Sequence, residues 1–126
     1  MDEKKIPLER VIVKEIMDWL KSSGYWCYKS HGNAYARTGL PDIVVIDRNG
    51  RFVGMECKRP KVGRLTLLQA KILNQINESG GFGQVVRSRE DAEAALAASE
   101  AGETVKWRFV GNEKICSELV KKGPVP

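Results

Sequence analysis

The sequence predicts an α/β fold, a central mixed β-sheet flanked by helices. Three observations carry this expectation. A helical period opens the chain, with Leu8, Ile12, Ile16, Trp19 and Leu20 recurring at three- and four-residue steps. A β-branched run, Ile43 to Ile46, meets a second strand-like run across the turn signal Asp47-Arg48-Asn49-Gly50. Helical and strand-like segments then alternate to the C-terminal region. At 126 residues the chain has the length of one domain, 1–126, with a core over about 8–110 and a loose tail at 122–126.

Taken in order, Pro7 suits the start of a first helix, Leu8 to Lys21, and Gly24 suits its C′ position. Tyr25 to Lys29 is aromatic and strand-like, whereas Ser30 to Pro41 is polar, glycine-bearing and loop-like. Asp42 to Ile46 and Arg51 to Lys58 form a hairpin, and Pro60 lies past its end because proline cannot donate to a ladder. Leu68, Ile72, Leu73 and Ile76 mark a second helix over Leu67 to Asn77, stopped by Gly80-Gly81. Gly83 to Arg87 reads as a strand. Ser88 caps an alanine-rich helix, with Asp91 at N3, that runs to about Ser99. Thr104 to Val110 is expected to be the last strand and Glu113 to Lys121 a short final helix. Trp19, Trp26 and Trp107 are expected in the core.

Composition narrows the function classes. Apolar residues at 42% and charged residues at 29% are ordinary for a globular protein and argue against long disorder. No apolar run approaches the roughly 20 residues of a membrane helix, and no apolar stretch follows the charged start as in a signal peptide. The expected setting is the cytoplasm of a bacterial or phage-infected cell, with Cys27, Cys57 and Cys116 reduced. A single histidine and no C-x-x-C spacing argue against a four-ligand zinc site. Lys and Arg number 21 against 16 Asp and Glu, a net charge of +5, which tilts the expected partner toward a polyanion.

The chemistry-bearing stretch is Pro41-Asp42 followed, fourteen residues after Asp42, by Glu56-Cys57-Lys58. A three-residue loop, Arg48-Asn49-Gly50, with Gly50 left-handed, makes Asp47 and Arg51 the flanking pair. Counting back along both strands sets Asp42 opposite Glu56, with Cβ atoms about 5 Å apart on one face. Lys58, two residues on, projects from that face too. Carboxylates this close repel unless a cation lies between them. Mg²⁺ suits such oxygen ligands, and a nearby ammonium can position a water or stabilise developing negative charge. These parts suit metal-assisted phosphodiester hydrolysis. From spacing alone, a solvated sheet face accounts for the same residues.

Gly39-Leu40-Pro41-Asp42 and Glu56-Cys57-Lys58-Arg59-Pro60 resemble the signature of the PD-(D/E)xK nucleases and, more narrowly, of the virus-type replication-repair nuclease (VRR-NUC) domain in its stand-alone phage and bacterial form. Glu9, Leu65-Thr66 with Gln69, Gly80-Gly81 and Val85 to Asp91 extend the resemblance over Glu9 to Leu96. It implies a restriction-endonuclease-like fold and a Mg²⁺-dependent DNA endonuclease, with Mn²⁺ as a substitute. Asp42, Glu56 and the Cys57 backbone carbonyl would be metal ligands. Lys58 would orient the attacking water, Glu9 would reach the metal or its water shell, and Gln69 would stand near the metal cluster. It further implies a homodimer acting on branched DNA such as a four-way (Holliday) junction. The alternatives are a nuclease without junction preference, nicking or restriction-associated, and a non-catalytic DNA-binding domain of the same fold.

Two of these residues have second readings. Glu9 falls in line with Ile12, Ile16 and Leu20 inside the apolar stripe, which favours a role at a cation, but a first-turn acid also suits the helix dipole. Thr66-Leu67-Leu68-Gln69 fits a capping box, a role that competes with chemistry for the one glutamine side chain. Lys29, His31, Arg37, Arg59, Lys61 and Arg64 bracket the site in sequence and are candidate DNA contacts, or ordinary surface charge; Tyr35 could stack on a base or pack at the rim.

Overall fold

The computed structural model describes residues 5–30, 39–109 and 115–124. Helix α1 (Glu9–Ser22) is followed by strands β1 (Cys27–Lys29), β2 (Ile43–Ile46), β3 (Phe52–Cys57) and the short β4 (Leu65–Thr66). Helix α2 (Leu67–Glu78), strand β5 (Phe82–Val86), helix α3 (Arg89–Glu100) and strands β6 (Glu103–Phe109) and β7 (Ile115–Pro124) complete the order. A mixed four-stranded sheet runs β1-β2-β3-β5, antiparallel except for the parallel β3–β5 pair. A second, three-stranded sheet runs β4-β7-β6.

Strand alternation divides the main sheet into two faces. Ile43 and Val45 of β2, with Val53, Met55 and Cys57 of β3, join the buried stripe of α1 (Ile12, Val13, Ile16, Met17, Leu20) and Ala92, Ala95 and Leu96 of α3 in one core. Each fully buried aliphatic side chain there contributes about 2 kcal/mol, so a charge at Ile16, which has no exposure, would break the α1–sheet contact. The other face carries Val44, Gly54 and Glu56 and is covered in part by α2. A Cβ on Gly54 would stand 2.8 Å from Pro41 Cγ, so only glycine lets Pro41 lie this close to β3. Leu65, Ala70, Leu73 and Trp107 form a second, smaller core between α2 and the second sheet.

Local signals place most boundaries. The N–H groups of Gly24 and Tyr25 donate to the carbonyls of Lys21 and Leu20, closing α1 as a Schellman motif. Gly80 and Gly81 close α2 in the same way through Asn77 and Ile76. The Ser88 hydroxyl accepts from Asp91 N–H at 3.1 Å and starts α3.

Three expectations are corrected. The segment expected as a final helix, Glu113 to Lys121, is strand β7 from Ile115 onward, and it continues through Lys122 to Pro124, part of the expected loose tail. It lies between β4 and β6, so a ladder on each side outweighs the local helical spacing. Trp26, expected in the core, is 63% exposed, immediately before the edge strand β1. Strand β1 begins at Cys27 rather than Tyr25, and the two-residue β4 had no distinct sequence signal.

Candidate metal centre

The hairpin register decides which acids meet. The pairs Ile43–Met55, Val44–Gly54, Val45–Val53 and Ile46–Phe52 continue by one residue to Asp42 opposite Glu56, as the loop length predicts. At the other end Asp47 N–H donates to the Arg51 carbonyl, and Gly50 has φ +84°. Glu9 arrives from the start of α1, on the opposite side of the sheet. Glu9, Asp42 and Glu56 each bring a carboxylate oxygen within 4.8 Å of the others at the sheet end. Lys58 continues the face of Glu56, with Nζ 3.7 Å from Glu56 Oε2. Glu56 is only 2% exposed and Lys58 8%.

The backbone adds a further oxygen. Hydrogen-bonded pairs of the β2–β3 ladder fall on the odd residues, starting from Asp47–Arg51, so Cys57 comes opposite residue 41. Residue 41 is proline and has no N–H to give the Cys57 carbonyl. The Cys57 N–H instead donates to Asp42 Oδ2 at 2.8 Å, on the strand edge from which its carbonyl also projects. Asp42 is thereby oriented with its second oxygen free of that bond. Three carboxylates, with the Cys57 carbonyl beside them, form a set of hard oxygens that could hold a metal ion.

The electrostatics are those of a crowded, partly buried acidic cluster. Burial, then a hydrogen bond to Asp42, then its charge, push the Glu56 carboxyl up to about 9, and Lys58 offsets only part of this. Glu9 is raised as well, chiefly by burial and then by Asp42. Without a cation, burial and the neighbouring carboxylates thus favour the protonated form of Glu56 at neutral pH. Burial first, then the surrounding carboxylates, push the Cys57 thiol up, so it remains an inert, buried packing group on the core side.

Gln69 resolves the two readings that the sequence set in competition. Its Oε1 accepts from Thr66 N–H at 3.0 Å, and the Thr66 hydroxyl accepts from Gln69 N–H at 3.2 Å, a complete capping box. Its Nε2 meanwhile donates to Glu56 Oε2 at 3.3 Å. The cap dictates the orientation: a backbone N–H can meet only the amide oxygen, so the NH₂ must face Glu56. Gln69 thus positions Glu56, with its amide nitrogen toward the carboxylate and its oxygen turned to the Thr66 N–H.

The basic candidates divide. Arg59 donates to the carbonyls of Ile6 and Pro7 at 3.1 and 3.0 Å, bracing the segment that delivers Glu9. Arg87, which the sequence did not single out, donates to the carbonyls of Arg59 and Gly63 and braces that brace. Arg64 folds back onto the carbonyls of Lys61 and Gly63, while Lys29 and Lys61 are exposed. His31, Tyr35 and Arg37 lie outside the described residues. Among the described residues no helix is long and apolar enough to cross a membrane. No family model matches the chain, and neither a curated protein nor a solved structure matches it.

Proposed function

We propose that this chain is a Mg²⁺- or Mn²⁺-dependent DNA endonuclease of the PD-(D/E)xK type, resembling the VRR-NUC domain. The observation that carries this reading is the meeting of Glu9, Asp42 and Glu56 within 4.8 Å, with Lys58 Nζ at 3.7 Å from Glu56. The mixed four-stranded sheet flanked by helices is compatible with that fold, and the net charge of +5 suits a polyanionic substrate.

Asp42, Glu56 and the Cys57 carbonyl would hold the ion, with Glu9 reaching it directly or through water. A divalent ion in such a site supplies Lewis acidity and an activated water for in-line attack on a phosphodiester. The chain's own residues do the rest. Gln69 and the Cys57 N–H fix the carboxylates so that little reorganisation remains. Lys58, buried on the same face, orients the water and balances charge that develops on the phosphate. Arg59 and Arg87 hold the approach of α1 and hence Glu9.

A homodimer would set two such centres against opposed strands of a four-way junction, whose pseudo-symmetry a two-fold axis matches. The test is incubation with a labelled four-way junction and a linear duplex of matched sequence, with and without Mg²⁺, alongside Lys58→Ala. Symmetric, metal-dependent cuts confined to the junction are expected. Equal cutting of both substrates removes the junction preference. No cutting of either with Mg²⁺ or Mn²⁺ overturns the nuclease reading in favour of a DNA-binding domain.

A further inference from the structure

A second surface lies on the same sheet face as Asp42 and Glu56. A groove of about 390 Å³ runs between β1 and α2, lined by Tyr28, Leu40, Val44, Phe52, Ile72 and Ile76. Tyr28 is 47%, Phe52 41% and Leu40 40% exposed. Trp26 packs edge-on against Tyr28, with ring centroids 5.6 Å apart, and extends the aromatic rim. Exposed large hydrophobics scattered singly are ordinary; these gather around one concavity, as they do at binding sites.

The surroundings select the occupant. The groove adjoins the candidate metal centre: Pro41 and Val44 line it, and Asp42, between them in the chain, is one of the three carboxylates. From Asp42 to Val44 is two strand residues, about 7 Å, a reach comparable with one nucleotide of an extended strand. Among the described residues no lining side chain is charged, and Lys71, beside Ile72 on α2, is exposed. Glu78 stands at the far end of α2. An aromatic-walled slot on the face that carries the candidate metal centre fits a base whose phosphate lies toward the carboxylates. Ser30 and Gln75 add groups that can hydrogen-bond a base edge.

We infer that this groove takes an unpaired base one nucleotide from the scissile phosphate, stacked on Tyr28. The inference rests on the nuclease reading and sharpens it. The preferred substrate has a base already free of the helix beside the cut, at a branch point, a flap or a single strand. An intact duplex must first have that base unstacked.

The test uses the full chain with two readouts. One is binding of a single-stranded oligonucleotide carrying the fluorescent base 2-aminopurine, with Ca²⁺ in place of Mg²⁺ to prevent turnover. The other is Mg²⁺-dependent cleavage of a flapped substrate against a matched linear duplex. Tyr28→Ala and Phe52→Ala are compared with Tyr28→Phe and with the distant surface control Val11→Ala, all checked for an unchanged melting temperature. The expected result is quenching of 2-aminopurine by the wild type. Tyr28→Ala weakens that binding by about ten- to a hundredfold and lowers the flap-to-duplex cleavage ratio, while Tyr28→Phe restores both. If the wild type cuts but neither variant changes binding or the ratio, the groove assignment is overturned and the nuclease reading stands. If nothing is cut with Mg²⁺ or Mn²⁺, the nuclease reading fails, and the groove fails with it unless quenching persists and depends on Tyr28. Dissociation of a dimer by Tyr28→Ala, with oligonucleotide binding unchanged, overturns the assignment in favour of a second copy of the chain.

Discussion

The β2–β3 hairpin buries acidic side chains at both ends, under opposite conditions. At its turn, Asp47 accepts from the N–H groups of Asn49 and Arg51 at 2.8 and 2.9 Å and from the Ser99 hydroxyl at 2.6 Å. Arg51 beside it donates to the carbonyls of Gly80, Gly81, Ser99 and Glu103, joining the ends of α2 and α3. At its open end, Glu56 faces Asp42 and Glu9 with, among the described residues, only Lys58 and the Gln69 amide to compensate, and its carboxyl is pushed up to about 9. A satisfied buried acid stabilises a fold. A crowded, under-compensated one destabilises it and marks a place that could hold a cation. The same hairpin therefore separates acids that hold the structure from acids that could take a ligand.

Substitutions should separate the two ends. At the open end, Asp42→Ala or Lys58→Ala is expected to lower Mg²⁺-dependent DNA cleavage by about 10³-fold or more while the protein remains folded, measured by single-turnover assay and circular dichroism. At the turn, Asp47→Ala leaves two backbone donors and a buried hydroxyl without their acceptor. Its stability should fall by about 3 kcal/mol in urea unfolding. A folded Asp47→Ala protein of unaltered stability would erase the contrast between the ends.

Glu56→Gln sharpens it further, because the expected sign is reversed. The folded state keeps on Glu56 a proton that the unfolded chain loses near 4.5, so metal-free stability declines as pH rises from about 4.5 toward 9. Removing that acid should raise metal-free stability at pH 8 by about 1–2 kcal/mol, flatten the decline and abolish metal-dependent cleavage. A thermal melt series across pH 5 to 9 checks this. In the wild type, metal must displace the proton, so apparent Mn²⁺ affinity should rise about tenfold per pH unit below 9 for each proton released. The smallest effect belongs to Gln69→Ala. Losing the cap should cost about 1 kcal/mol, and cleavage should fall about tenfold through misplacement of Glu56.

How legible each end was follows from how local its determinants are. The Asp42–Glu56 register could be counted because a three-residue loop ending in Gly50 fixes which residues oppose each other. The caps at Thr66 and Ser88 and the α1 stripe are likewise set within a few residues of sequence. Strand β7 was illegible, since its pairing with β4 and β6 is made at a distance. So was the exposure of Trp26, which is set by packing at the edge of the sheet and not by any local pattern. The double duty of Gln69 needed the distance between a helix start and a strand end. Arg59 reads by charge as a candidate phosphate contact, and its bonds to Ile6 and Pro7, which also brace the chain ahead of Glu9, needed the fold to be seen.

The most direct test of the metal centre is a Mn²⁺ titration followed by electron paramagnetic resonance, on the wild type, Asp42→Ala and Glu56→Gln at pH 8. The account predicts saturable binding in the wild type that is lost in both variants, with each variant still folded. Wild-type protein that binds no Mn²⁺, or variants that bind it as the wild type does, would contradict it.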